Sequence, residues 1–161
     1  MKRVLITGSK SFIGDNVYNY LSAKGDCHVD VVDTISDAWK NADYSQYDTV
    51  YHVAGIAHVN PSPKLKALYY RVNCDLAVEV AKLAKAGGVK QFIFMSSMIV
   101  FHESRSLKDE VITSDSKPNP NGFYGDSKLQ AELGLKKLES ETFKLCILRP
   151  PLVYGYKSRG N

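Results

Sequence analysis

Five short apolar runs, at residues 4–7, 28–32, 49–53, 91–95 and 144–148, alternate with segments of helical character, and nothing else in this chain restricts its fold as much. Each run is rich in Val, Ile or Phe and apolar at successive positions, so both faces of the resulting strand require cover. That pattern belongs to parallel strands held between helices, whereas a strand with one wet face would alternate. Helical segments are predicted at 12–24, 63–86 and 123–138. In the second, Leu68, Val72, Leu76, Val80 and Leu83 recur at spacings of three and four, which predicts one apolar stripe, and Gly87-Gly88 supply the stop. Right-handed crossovers then give an α/β fold with a doubly wound parallel sheet of five strands. With 161 residues, 44% of them hydrophobic, the chain suffices for one core and hence one domain over 1–161.

Bulk charge and spacing exclude several classes of function. The net charge of +4 is spread along the chain, so no nucleic-acid partner is expected. No apolar stretch reaches the length of a membrane span, and Lys2-Arg3 leads directly into a strand-like run, which predicts a cytoplasmic protein with no membrane partner. Cys27, Cys74 and Cys146 lie far apart without CxxC spacing and read as buried thiols. His28, His52, His58 and His102 show no metal-ligand spacing, so no metal is expected.

In a sheet of this kind ligands bind beyond the carboxyl ends of the strands. Gly8, Asp33, Ala54-Gly55, Ser96-Ser97 and Arg149-Pro150 are therefore predicted to share one rim. The first strand breaks at Gly8 in VLITGSKSFIG, and Gly14 follows where a helix begins. Unpaired N–H groups and the helix dipole at such a mouth stabilise a pyrophosphate. Ser11 stands where a further glycine would permit the closest approach: either its side chain crowds the phosphates or its hydroxyl donates to one. Asp33 ends the second strand, 25 residues after Gly8. A carboxylate there accepts ribose hydroxyls and repels a 2′-phosphate, which favours NAD over NADP, while Lys10 keeps NADP open. An Asp in that position also starts a turn unaided.

Tyr124 and Lys128 form a Y-x-x-x-K pair, which a helix stacks on one face. The ammonium favours the phenolate, and a phenol so placed can exchange a proton with a sugar hydroxyl or an alcohol near neutral pH. Tyr20 and Lys24 repeat the spacing, but at the far end of the first helix, where a solvated face accounts for them. Tyr124 instead opens its helix after the turn-rich KPNPNG, and Ser96-Ser97 close the strand FIFM before it, where a hydroxyl can hold a substrate oxygen beside the phenol.

TGSKSFIG, DTVYHVAG, YYRVN, VKQFIFMSS, YGDSK and LRPPLVYG follow one another in this chain. Together they resemble the extended short-chain dehydrogenase/reductases, with their Rossmann sheet, and within them the NAD-dependent nucleotide-sugar epimerases and dehydratases. DTVYHVAG is similar to the corresponding strand of UDP-glucose 4-epimerases. HVAGIAHV and RPPLVYG also resemble 4-ketoreductases and epimerases of UDP-amino sugars in surface polysaccharide synthesis. The resemblance implies Tyr124 as general base, Lys128 as its electrostatic partner and ribose ligand, and Ser97, in preference to Ser96, as the oxygen-positioning hydroxyl. It places Gly8, Ser11, Phe12, Ile13 and Gly14 around the pyrophosphate, Asp33 at the adenosine ribose, Val53, Ala54 and Gly55 on the far side of the dinucleotide, and Asn73 and Pro150 in the lining of its pocket.

Departures accompany it. Ser11 replaces a glycine, Phe101-His102 stands where tyrosine-glycine is usual, and Leu76-Ala77 replaces a glycine-threonine pair. Only 14 residues separate Asp33 from Asp48, so an edge strand is expected to be missing, with Asp43 or Tyr44 standing in as the adenine contact. RPxxVYG falls near mid-chain in this family, so the C-terminal substrate domain is expected to be absent, whether the chain is a fragment or a naturally short protein. The resulting expectation is the cofactor-binding half of a UDP-sugar 4-epimerase. The alternatives are a 4-ketoreductase or dehydratase, although Met98 follows Ser97 where a dehydratase wants an acid, and, from another class, a non-catalytic NAD-binding module or scaffold. A homodimer through the long helices is a further expectation, unless their apolar stripes belong to the sheet-facing core.

Overall fold

The computed structural model describes residues 1–57, 62–101, 111–155 and 158; His58 and His102 lie outside them. The elements run β1 (Lys2–Thr7), α1 (Phe12–Lys24), β2 (Cys27–Val32), β3 (Thr49–His52), α2 (Lys66–Tyr70), α3 (Leu76–Ala86), β4 (Gln91–Met95), α4 (Phe123–Lys136) and β5 (Lys144–Leu148). The five strands are all parallel and lie in the order β2-β1-β3-β4-β5. From β1 the chain moves to one side for β2 and to the other for β3, β4 and β5. Right-handed crossovers therefore put α1 on one face and α3 and α4 on the opposite face. The reversal beside β1 opens a crevice at the carboxyl ends of the strands.

On the α3 and α4 side the register aligns Leu5, Val50 and Phe92 across neighbouring strands, and Phe92, Phe94 and Leu135 are fully buried there. Each such side chain contributes about 1.5–3 kcal/mol by leaving water. As expected, β2 ends the sheet; among the described residues no strand pairs beyond it. The link to β3 instead holds short 3-10 turns at Asp37–Lys40 and Tyr44–Gln46.

The segment predicted as one helix over 63–86 is helical throughout but not uniform. A 3-10 turn, Pro63–Leu65, leads into α2, and a π-helical turn, Arg71–Asp75, separates α2 from α3. The innermost line is Tyr69, Asn73, Ala77, Val80 and Ala84, whereas Leu68, Val72 and Leu76 of the predicted stripe are only half-buried. Up to Ala77 the buried line sits one residue later than predicted, and beyond the π turn alanines let α3 approach the sheet closely. The three cysteines are free thiols, half-buried rather than fully buried.

Candidate functional site

The glycine loop takes a shape that only part of its sequence announces. Gly8 has φ +108, and a Cβ there would lie 2.8 Å from the Ala54 backbone, so the β1 and β3 ends can meet only at a glycine. Ser11 has a local role besides the two weighed from the sequence. Its hydroxyl donates to the Gly8 carbonyl (3.1 Å) and accepts from the Gly14 N–H (3.0 Å), so it caps α1 and turns inward. A Cβ on Gly14 would sit 2.5 Å from that hydroxyl, which explains the second glycine.

Asp33 does start a turn: its carboxylate accepts from the N–H groups of Ile35 (3.2 Å) and Ser36 (3.0 Å) and from the Ser9 hydroxyl (3.3 Å). These bonds, the Ser36 amide foremost, hold its pKa down to about 2. Asp33, Gly8, Lys10 and Ser11 line a cavity of about 900 Å³ with Val53, Ala54, Gly55 and Ile56 on its floor.

A second cavity, about 520 Å³, shares Val53, Gly55 and Ile56 with the first and is closed by Ser97, Tyr124, Lys128 and Pro150. Ile13 also lines it. The Ser97 hydroxyl oxygen accepts from the Ile99 N–H (3.3 Å), which leaves its proton to donate. Ser96 is committed elsewhere, donating to Glu132 at 2.6 Å. Lys128 is 4% exposed; its Nζ donates to the Met95 carbonyl (2.9 Å) and lies 4.9 Å from the Phe94 ring centroid. Burial pulls its pKa down to about 8 against the raising influence of Glu132. His52 lies deeper still, its Nδ1 2.6 Å from the Thr7 hydroxyl and its ring beside Phe92 and Phe94. Burial, with the Lys128 charge second, pulls His52 down to about 3, so it is neutral.

Not every residue singled out from the sequence reaches these cavities. Phe12 and Gly14 contribute the backbone and packing of the α1 start, and Asn73 lies beneath the wall, fully buried. Its amide accepts from the Ile56 N–H (2.8 Å) and donates to the Ile56 carbonyl (3.1 Å) and the Ser127 hydroxyl (3.1 Å). Asp43 and Tyr44 do not reach the rim. Asp43 caps the second 3-10 turn, and Tyr44 is turned into the core beneath Gly87, its hydroxyl donating to the Trp39 carbonyl at 2.8 Å. Asp37, Trp39 and Lys40 occupy the rim instead. The chain's single tryptophan was the sequence signal for that wall. Tyr20 is 68% exposed and Lys24 pairs with Asp26, in keeping with a solvated face.

Among the described residues no group of three metal-ligating side chains occurs, and no helix is long and apolar enough to cross a membrane. Compared with known proteins, residues 4–161 match the NAD dependent epimerase/dehydratase family. The chain belongs to that family. This epimerase/dehydratase family member is 31% identical to a UDP-glucose 4-epimerase of Vibrio cholerae, over 99% of its own length and 54% of that protein's. It is 34% identical over 71% of its length to an Escherichia coli O157:H7 N-acetyl-α-D-glucosaminyl-diphospho-ditrans,octacis-undecaprenol 4-epimerase, covering 34% of that protein. In fold it is similar to a UDP-glucuronic acid 4-epimerase from Bacillus cereus solved with NAD, with TM-score 0.81, 24% identity, and 98% of this chain against 58% of that one covered. The chain spans about half the length of the first of these relatives.

Proposed function

We propose that this chain is the NAD-binding, proton-transferring part of a nucleotide-sugar 4-epimerase acting on UDP-sugars. One observation carries the reading: Ser97, Tyr124 and Lys128 close a cavity that shares its wall with the glycine-loop cavity. The residues present suit a dinucleotide. The N-terminus of α1 offers backbone N–H groups to a pyrophosphate, and Asp33, ionised at the cavity rim, suits a ribose hydroxyl and opposes a 2′-phosphate. NAD is therefore preferred to NADP. When bound, the dinucleotide would supply the hydride acceptor and donor that inversion at a sugar carbon requires.

The chain's own residues handle the proton. Tyr124 takes it from the sugar hydroxyl, and the Lys128 ammonium, one helical turn away, favours the phenolate that does so. Ser97 donates to the same sugar oxygen and fixes its distance from the phenol. The apolar wall of Ile13, Val53, Met95 and Pro150 excludes water from the reacting carbon. A cytoplasmic location, a role in polysaccharide precursor synthesis and a homodimer through α2, α3 and α4 complete the reading; the exposed Leu133 on α4 supports the pairing, and sedimentation tests it.

Incubation of the full-length protein with NAD and UDP-glucose or UDP-N-acetylglucosamine is expected to yield the 4-epimer, followed by NMR, with no net change in NADH absorbance. Tyr124→Phe is expected to abolish turnover and leave NAD affinity in calorimetry unchanged. Stoichiometric oxidation of added NADH by a 4-keto UDP-sugar, with no epimer formed, would replace the epimerase reading by a ketoreductase. NAD binding without turnover in any of these assays would reduce the chain to a binding module.

A further inference from the structure

Directly beneath the Tyr124–Lys128 pair lies a carboxylate that the proton transfer does not use. Glu132 is one turn beyond Lys128 on α4 and fully buried. Its Oε1 accepts from the Ser96 hydroxyl (2.6 Å) and the Arg149 Nε (2.9 Å), and its Oε2 from the Arg149 Nη2 (2.5 Å). Ser96 immediately follows β4 and precedes Ser97; Arg149 immediately follows β5 and precedes Pro150. One buried side chain thus ties the helix carrying Tyr124 and Lys128 to the strand ends that deliver Ser97 and Pro150 to the same cavity. A carboxylate is an expensive group to bury, and leaving it unpaired is strongly destabilising, so the pairing favours the arrangement in which its partners are in register.

We propose that Glu132 is a positioning residue for the proton-transfer site, docking α4 on β4 and β5 and setting a negative charge one helical turn from Lys128. The inference rests on the reading that Tyr124 and Lys128 move the proton. Among the described residues the titratable and charged groups around Lys128 are few. Glu132 and Tyr124 share its helix, His52 faces it from β3, and Arg149 reaches the carboxylate from the end of β5. From the π turn comes only the uncharged Asn73, whose Oδ1 and the Lys128 Nζ would each lie 3.0 Å from a Cβ on Gly55. His52 is neutral, so Glu132 is the negative charge that opposes burial of the ammonium.

The test reads Lys128 directly, without requiring turnover. The protein is labelled with ¹³Cε-lysine, and the Lys128 signal is assigned by its loss in Lys128→Arg. Its titration midpoint is expected near 8 in the parent chain. Glu132→Gln is expected to lower it by about one unit. Arg149→Gln, which keeps the carboxylate but removes its neutralising partner, is expected to raise it; the Arg149 side chain is 27% exposed, so water can enter the gap. Ser96→Ala removes a bond but no charge and is expected to leave the midpoint in place. Opposite shifts in the two charge variants support the proposal. An unmoved midpoint, shifts of the same sign, or a Ser96→Ala shift as large as that of Glu132→Gln overturns it. Should Glu132→Gln not fold, Arg149→Gln and Ser96→Ala still decide between charge and packing. The alkaline limb of turnover with a UDP-sugar should move with the midpoint. Shifts without turnover would refute the epimerase reading alone, whereas turnover without shifts would refute the role of Glu132 alone.

Discussion

Replacing Asn73 by alanine would separate what holds the cavity wall from what lines it. The side chain makes three hydrogen bonds, two to the Ile56 backbone and one to Ser127, and is fully buried. At about 1 kcal/mol net for each bond the loss would be about 3 kcal/mol. Ile56 is half-buried, so water recovers part of this, and Ser127 keeps its bond to the Tyr124 carbonyl at 2.8 Å. A loss of about 2–3 kcal/mol remains, a large share of the ~5–15 kcal/mol of a typical domain. Urea denaturation should show a lower midpoint at unchanged slope. Hydrogen exchange should lose protection at Ile56 while Phe92 and Phe94, in the core, keep theirs. Because Ile56 lines both cavities, NAD affinity should fall about tenfold as well. A loss under about 0.5 kcal/mol, the range of an ordinary surface substitution, or uniform deprotection of the whole sheet, would refute the idea that Asn73 holds this wall.

Other substitutions probe separate features. Gly8→Ala forces a side chain onto φ +108 and against the Ala54 backbone, and should destabilise the chain by about 2–3 kcal/mol in denaturant melts; a neutral result would contradict the loop geometry. Ser11→Ala removes the α1 cap and should cost about 1 kcal/mol, whereas Ser11→Gly should cost only a few tenths; equal losses would argue against capping as its role. His52 is neutral in the folded chain down to about pH 3, while in the unfolded chain it takes up a proton near its ordinary value of 6.5. Below that value the unfolded state binds more protons, so stability should fall by a few kcal/mol between about pH 6.5 and 3, and His52→Asn should flatten that part of the profile.

The order and reach of the elements were legible because each rests on local chemistry. α1 begins after Ser11 and stops at Gly25, in the left-handed region at φ 73, and its apolar spacing lies between; β4 and β5 occupy the predicted spans because their runs are continuously apolar. Topology alone then brought Gly8, Asp33, Gly55, Ser97 and Pro150 to the cavities at one rim. What escaped the sequence depends on distant neighbours. Tyr44 looked available for a ligand, but its Cβ and backbone pack against Gly87 and its side chain enters the core, and Trp39, equally buried, is the aromatic that borders the cavity. Asn73 matched a pocket position by resemblance, yet its burial makes it a brace for Ile56. Glu132 and Arg149 are separated by 17 residues, and no spacing rule marks an acid within a helix as the partner of an arginine after the next strand.

The π turn at Arg71–Asp75 bears on which changes of chain length this helix can absorb. A π turn holds one residue more than the α turn it replaces, so deleting one residue there would let it relax to plain α-helix with α2 and α3 kept in nearly the same rotational phase. Tyr70, whose hydroxyl donates to Asp126 on α4, would keep its partner, provided that Asn73, the brace of Ile56, is not the residue removed. The same single-codon loss inside α3 would turn one part of the helix by about 100° against the other, so the π turn is where this helix best absorbs a change of length.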